Sequence, residues 1–203
     1  MKTKLLVLPI SALFAGALCA ADAPKVGVPA PSFSLPGADG NTYWLGKYKG
    51  KYVVLEWFNP GCPFVQKHYK SENMQKLQKE FTGKGVTWLT IDSSAPGAQG
   101  HLSPEEAKKQ MADWQMNPTA LLLDPEGNVG HAYHATNTPR MFIINPEGKL
   151  IYEGAIDSKA SIDTSDIPNS TNYVRTALEE AMAGKSISTA QTKAYGCSVK
   201  YAH

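Results

Sequence analysis

The sequence predicts an α/β fold: a mixed central sheet with helices on both faces, an N-terminal hairpin extension and a C-terminal tail. Three observations carry this. Tyr52 to Phe58 is a near-continuous apolar and β-branched run, the pattern of a strand covered on both faces. Segments of strand composition then alternate with segments of helical periodicity, as in parallel strands joined by crossover helices. Last, Met141-Phe-Ile-Ile144 and Leu150-Ile-Tyr-Glu153 flank Asn145-Pro-Glu-Gly148, the mark of an antiparallel pair.

In order along the chain, residues 1–21 stand apart from the fold. Lys2 and Lys4 form a charged n-region, Leu5 to Leu18 an apolar stretch too short to span a bilayer, and Leu18-Cys19-Ala20-Ala21 a small-residue cleavage site. This pattern predicts a secretory signal peptide and a periplasmic or secreted protein. A lipid anchor on Cys19 is the rival reading, disfavoured because Leu18 is bulky where such a site wants a small residue. Loss of the segment takes the formal charge from +2 to about 0, which gives no reason to expect nucleic acid or an anionic membrane surface as partner. No stable membrane insertion is expected after the segment is removed. The mature chain keeps two cysteines, Cys62 and Cys197. In an oxidising compartment they are a potential disulfide or a pair of redox-active thiols.

The domain proper is expected over residues 22–185, with residues 186–203 as a tail carrying Cys197. Ala23 to Pro36 is rich in Pro, Gly and Ala and reads as an extended arm. Phe33 to Leu35 and Asn41 to Leu45 flank Pro36-Gly-Ala-Asp-Gly40 as a hairpin. After the central strand, a helix from Pro63 carries Val65, Tyr69, Met74, Leu77 and Phe81 on one face, with lysines 67, 70, 76 and 79 expected on the solvated side. Ser71 is placed to interrupt it and cap a second piece, and Gly83 and Gly85 to end it. Val86 to Ile91 is the next strand, and Ser93 to Leu102 a loop of small residues. Ser103-Pro-Glu-Glu opens a helix to about Gln115, with a cap, a proline at the first position and acids in the first turn. Thr119 to Leu123 is a third strand and Val129 to Ala135 a short helix. Asp124-Pro-Glu-Gly127 and Asn145-Pro-Glu-Gly148 are the same turn used twice. Ser158 to Ser170 reads as polar and irregular, and Tyr173 to Ala183 as the last helix.

The chemistry centres on Cys62. Asn59-Pro60-Gly61 is turn chemistry, Cys62 falls at the N-cap, and Pro63 takes the first helical position, where its missing N–H is unbonded anyway. The open N–H groups of a helix start favour thiolate over thiol, and the thiolate is the nucleophile. The competing reading is a buried, inert cysteine. The turn argues against it by lifting the sulfur to the end of the sheet.

With these residues in hand, the chain resembles the thioredoxin-like superfamily, in its redoxin branch of the alkyl hydroperoxide reductase and thiol-specific antioxidant type. The resemblance covers about Val26 to Gly184. It rests on Val26-Gly-Val-Pro-Ala-Pro-Ser-Phe-Ser-Leu35, Gly50-Lys-Tyr-Val-Val-Leu-Glu-Trp-Phe58, Cys62 after its turn, and Thr138-Pro139 before a strand. With the closing Gly196-Cys-Ser-Val-Lys-Tyr201, the chain looks most like a peroxiredoxin-like subgroup of exported bacterial proteins. The resemblance implies a thioredoxin-like fold and a thiol oxidoreductase without cofactor. Its partners would be protein thiols or disulfides, or a small peroxide, together with an unidentified electron donor.

Carried over by position, the resemblance makes Cys62 the attacking cysteine of a C-x-x-C motif whose second cysteine has become Val65. The peroxide-reactive cysteine of peroxiredoxins would also fall at Val65, their threonine or serine at Cys62 and their earlier proline at Phe58. Their arginine would fall near Pro139, with Arg140 offset by one. That triad is not reproduced. Glu56 matches the buried acid that moves protons for the thiols, and its apolar strand should raise its pKa. The competing reading pairs Glu56 with a surface lysine. Thr138-Pro139 matches the loop whose cis proline faces the active cysteine and where an extended substrate pairs; an ordinary trans turn is the alternative.

Cys197 is the remaining thiol able to resolve an attack by Cys62. The pair reads equally as a structural staple, worth about 4–5 kcal/mol for a loop of that length, or as two free thiols served by an external resolver. His68, His131 and His134 are the candidate metal ligands. Some relatives of the fold hold copper with two cysteines and a histidine, but the second cysteine would fall at Gln66, and no metal site is expected. Three functions follow: a thiol oxidoreductase, including a peroxide-reducing antioxidant resolved by an external thiol; a copper-handling module; and a redox-inactive binding domain.

Overall fold

Val53–Trp57 (β3) lies at the centre of the molecule, and all five of its side chains are buried. The computed structural model describes residues 23–202, so the expected signal peptide, with its Cys19 alternative, lies outside the described residues. On one side of β3 run Thr87–Asp92 (β4) and Ala120–Leu123 (β5), both parallel. On the other run Arg140–Ile144 (β7) and Leu150–Gly154 (β8), both antiparallel to their neighbours. The sheet order is β5-β4-β3-β7-β8. Because side chains alternate along a strand, β3 divides its apolar residues between two cores. Val54 joins a cluster with Val65, Met74, Leu77, Phe81, Ile143 and Leu178. Val53, Leu55 and Trp57 join the opposite cluster with Phe33, Leu89, Tyr133 and Phe142. Full burial of each large apolar side chain is worth about 1.5–3 kcal/mol.

The first face is helical. It carries Pro63–Lys70 (α1), Asn73–Gly83 (α2), Pro104–Asp113 (α3) and Tyr173–Met182 (α5). The break at Ser71 occurs, with a different role from the one expected. The Ser71 hydroxyl donates to Lys67 O at 2.8 Å and closes α1. Glu72, left-handed at φ +57°, starts α2 without a side-chain cap. Ser103 and Glu106 form the reciprocal capping box of α3. The second face is covered mainly by non-helical chain. Ser34–Pro36 (β1) and Thr42–Trp44 (β2) form the hairpin, a 3-10 turn follows at Leu45–Tyr48, and Asn128–Ala132 (α4) is the only helix among the described residues packed there. Here Trp57, Tyr133 and Phe142 pack with ring centroids 5.3 Å apart.

The two Pro-Glu-Gly turns share one geometry, with Gly127 and Gly148 at φ +73° and +81°. They continue differently because Asp124 accepts from Gly130 N at 2.8 Å and caps α4, whereas Asn145 accepts from Lys149 N at 2.8 Å and leads into β8. Ser158 to Ser170 is less irregular than expected, since Thr164–Asn169 forms a 3-10 turn.

One expectation is corrected. Lys67 is not on a solvated face: its side chain is 0% exposed and pairs with Asp157. The tail lies against the sheet. Gln191 bridges Glu153 in parallel, and Cys197–Ser198 (β9) pairs antiparallel with Asn137–Thr138 (β6), just before β7.

Candidate functional site

The turn after β3 is built by Asn59. Its side-chain carbonyl accepts from Gly61 N at 2.8 Å, its amide donates to Gln99 O at 2.9 Å, and its backbone carbonyl accepts from Cys62 N at 3.1 Å. Cys62 therefore stands at the N-cap of α1 with extended backbone, φ −83° and ψ 121°, followed by Pro63. The sulfur is not at an open helix start, contrary to expectation. Cys62 is 0% exposed because the tail crosses over it.

Antiparallel pairing of β3 with β7 sets Trp57 opposite Arg140, which brings the Thr138–Pro139 corner to the Cys62 end of the sheet. The Thr138–Pro139 bond is cis. The Cys62 thiol donates to Thr138 O at 3.2 Å, and Thr138 itself pairs with Cys197 across β6 and β9. The two thiols are close enough that each shifts the titration of the other. Burial pushes the Cys62 thiol up, but the bonds from Cys197, Thr138 and the Val65 amide outweigh it and hold the thiol below its ordinary 9.0. Burial, the bond to Cys62 and its charge push Cys197 up to about 11. The buried Thr138 hydroxyl has no partner among the described residues.

Glu56 lies beneath this corner on the helical face. Its Oε1 accepts from Tyr69 Oη at 2.7 Å; its Oε2 accepts from Gln78 Nε2 at 3.0 Å, Trp88 Nε1 at 2.8 Å and Thr90 Oγ1 at 3.0 Å. Burial raises its pKa, and the four bonds oppose that rise without cancelling it. A pairing with a surface lysine is excluded, because Glu56 is fully buried. Among the described residues its side-chain bonds go to these four groups and none to Cys62. Arg140 pairs with Glu153 at 2.9 Å and lies over Phe142, on the opposite face. The structure thus brings together Cys62, Cys197, Thr138 and Pro139, and sets Glu56 behind them.

A second polar cluster was not anticipated. Asp157, after β8, is 3.6 Å from buried Lys67 and accepts from Tyr195 Oη at 2.5 Å. Tyr195 Oη also meets His68 Nε2 at 3.2 Å, and Asn73 Nδ2 donates to His68 Nδ1 at 2.9 Å. That donor assigns the proton of neutral His68 to Nε2, so bonds run from Asn73 through His68 and Tyr195 to Asp157. His68 falls three residues after Val65, on the buried face of α1, and this spacing was the available signal. His131 instead stacks on Tyr201 at 4.0 Å. No group of three metal-binding side chains occurs among the described residues.

Burial holds His68 down at about 4, against an ordinary 6.5. The unfolded chain therefore takes up a proton near pH 6.5 that the folded chain refuses until about pH 4. The stabilisation due to neutral His68 is full above pH 6.5 and is lost as pH falls to 4, a change of about 3 kcal/mol. Glu56 and Asp92, both raised by burial, act with the opposite sign. They are common to wild type and His68→Gln, so the stability difference between these two proteins isolates His68. It should shrink by about 3 kcal/mol from pH 7 to pH 4 in urea unfolding; parallel pH curves for the two would disprove the assignment.

A thioredoxin-like fold with a cysteine at a helix start, facing a cis-proline corner, defines a redoxin. The chain belongs to the AhpC/TSA family, whose model matches residues 26–153. It is 28% identical over 125 residues to the thiol-disulfide oxidoreductase ResA of Bacillus subtilis, a match covering 62% of this chain and 64% of that protein. The match thus spans less than two thirds of that relative's length. It is 26% identical over 138 residues to the peroxiredoxin-type protein Rv2521 of Mycobacterium tuberculosis, covering 60% of this chain and 79% of that one. Among solved structures, an uncharacterized conserved protein from Geobacillus kaustophilus superposes with a TM-score of 0.76 at 26% identity over 90% of this chain and 95% of its own. The hypothetical protein SMc02350 from Sinorhizobium meliloti 1021 shares the fold, with a TM-score of 0.75 at 24% identity over 90% and 97%. No helix among the described residues is long and apolar enough to cross a membrane.

Proposed function

We propose that the protein is an exported thiol oxidoreductase in which Cys62 is the attacking sulfur and Cys197 the resolving one. One observation carries the reading: Cys62 at a helix start and Cys197 on the tail meet at Thr138, which takes the Cys62 thiol on its carbonyl and pairs with Cys197, and the two thiols are driven in opposite directions, Cys62 down and Cys197 up. The attacker is then the sulfur that ionises first, and the resolving thiol is held in reserve beside it. The Cys62 thiolate attacks one sulfur of a substrate disulfide, and the other sulfur leaves as a thiolate that takes up a proton. Cys197, losing its proton, attacks the Cys62 sulfur and expels the second substrate thiol. Two electrons pass to the substrate and a Cys62–Cys197 disulfide remains, which a thiol donor must reduce. Likeness to ResA supports protein disulfides as substrates, and the charged, apolar and small-residue pattern of residues 1–21 supports export. Glu56 serves in this reading as the acid beneath the thiols that exchanges protons with the site.

A small peroxide is favoured by a different observation, the complete burial of Cys62 under the tail, which a peroxide passes more readily than a protein does. Its terminal oxygen would go to the Cys62 sulfur, giving a sulfenic acid and an alcohol or water. Attack by Cys197 would then release water and form the same disulfide.

Intact mass with thiol labelling tests the pair. The purified protein, treated with a stoichiometric disulfide oxidant, is expected to lose the mass of two hydrogens, block both thiols, and regain them under mild reductant without unfolding. A link that reductant opens only after unfolding would make the pair a staple. Two freely labelling thiols, with one oxygen added to Cys62 by peroxide, would move resolution to an external thiol.

A further inference from the structure

The tail is clasped at three places. Thr192 Oγ1 accepts from Ala155 N at 2.9 Å, and a Cβ on Gly154 would lie 2.2 Å from that oxygen. The Tyr195 hydroxyl lies between Asp157 and His68, with its ring 5.8 Å from that of Phe64. Tyr201 stacks on His131 and donates to Ala135 O at 2.7 Å, over Gly130, where a Cβ would come within 2.2 Å of its hydroxyl. Between the two tyrosines the chain is extended. Cys197 and Ser198 face Thr138 and Asn137, and Val199 N donates to Thr136 O at 3.1 Å.

β6 has only two residues and, among the described residues, no partner strand except β9. With the tail lifted, its backbone loses that strand partner, and such an open edge accepts an extended chain. With the tail in place, Cys62 is 0% exposed and no partner chain reaches it. The contact is unusually close at one residue. Gly196 has φ +119°, and a Cβ there would lie 1.9 Å from Thr138 O. Glycine alone lets the strand sit at this depth.

We propose that Gly196–Val199 is a tethered occupant of a strand-addition site, held by Tyr195 and Tyr201, and that the substrate's chain replaces it in the same antiparallel register. This rests on the thiol-exchange reading and names its substrate class: a protein disulfide in an extended segment, with glycine immediately before the cysteine that meets Cys62. The tail and the substrate compete for one edge. Once Cys62 has attacked, the substrate remains as a mixed disulfide on β6 while Cys197 is displaced. Re-docking of the tail brings Cys197 back to the Cys62 sulfur, forms the internal disulfide and breaks the bond to the substrate, which leaves with its thiol.

The test follows access to Cys62 in the reduced, full-length protein. Gly196→Ala should raise the rate of Cys62 alkylation by iodoacetamide at least tenfold, with the urea midpoint little changed; Tyr195→Phe, which introduces no clash, should raise it severalfold. Rates within twofold of wild type in both variants would overturn the proposal. In Gly196→Ala, the added peptide Tyr-Gly-Ser-Ser-Val should slow alkylation again and shift the Asn137 and Thr138 amide resonances, whereas Tyr-Ala-Ser-Ser-Val should not. Equal protection by both peptides, or by neither, would remove the glycine-specific site. Neither readout needs turnover, so failure of thiol exchange and failure of the tethered occupant are told apart.

Discussion

Cys62→Ser is expected to abolish thiol-dependent turnover, a fall on the order of 10³-fold or more with either a disulfide or a peroxide as oxidant. Serine keeps the volume and can still donate to Thr138 O, so the corner should remain folded. What it lacks is an anion at working pH: the site lowers a thiol by hydrogen bonds to its charged form, and no such arrangement brings a hydroxyl into range. Cys197→Ser should behave differently. The attacking sulfur survives, so the first half of the reaction proceeds and a mixed disulfide between Cys62 and substrate accumulates, visible by intact mass. Turnover above a tenth of wild type in Cys62→Ser would place the nucleophile elsewhere. The same result in Cys197→Ser would assign resolution to an external thiol.

Glu56→Ala should produce the largest loss of stability, on the order of 3–5 kcal/mol. Four buried donors lose their acceptor together: Tyr69 Oη, Gln78 Nε2, Trp88 Nε1 and Thr90 Oγ1. Each such orphan costs about 1–3 kcal/mol, although Gln78 and Tyr69 also bond one another at 3.0 Å and recover part of it. Removing a buried carboxyl returns some desolvation energy, as its raised pKa indicates, but that gain is smaller than four unsatisfied donors. For a domain whose whole stability is about 5–15 kcal/mol, such a variant stands close to unfolding. Glu56→Gln should cost less, because its carbonyl can take the Oε2 position that receives three donors while its amide faces a rotated Tyr69 hydroxyl. Urea unfolding of the two variants checks the order, and Glu56→Ala within 1 kcal/mol of wild type would show that the cluster repacks. Glu56→Gln also tests the proton-exchange role. If the carboxyl serves the thiols, one limb of the pH–rate profile moves; an unchanged profile leaves Glu56 as a core group.

The β3–turn–α1 unit was legible because its signals are local. A continuous apolar run, Asn59-Pro60-Gly61 and a proline at the first helical position each act within a few residues of Cys62. Glu56 was legible as buried for the same reason, flanked as it is by Leu55 and Trp57. Its four partners were not, since they come from α1, α2 and β4 and meet it only after the sheet has closed. Lys67 shows the opposite failure. Read as one lysine among several on a solvated helix, it is buried because Asp157 and the Lys159 carbonyl, about ninety residues away, offer it a charge and an acceptor.

By itself the sequence determined the order of strands and helices and the cysteine at the start of α1, because periodicity, turn chemistry and capping are read from neighbours; the Thr138–Pro139 corner was legible only through the resemblance to redoxins. Only the tertiary structure decided that Cys197 lies against Cys62, that the tail seals the sulfur, and that Tyr195 is held by His68 and Asp157. Those contacts depend on a strand register far from Cys62 in sequence and on the absence of a Cβ at Gly196, which lets two backbones approach where any other residue would hold them apart.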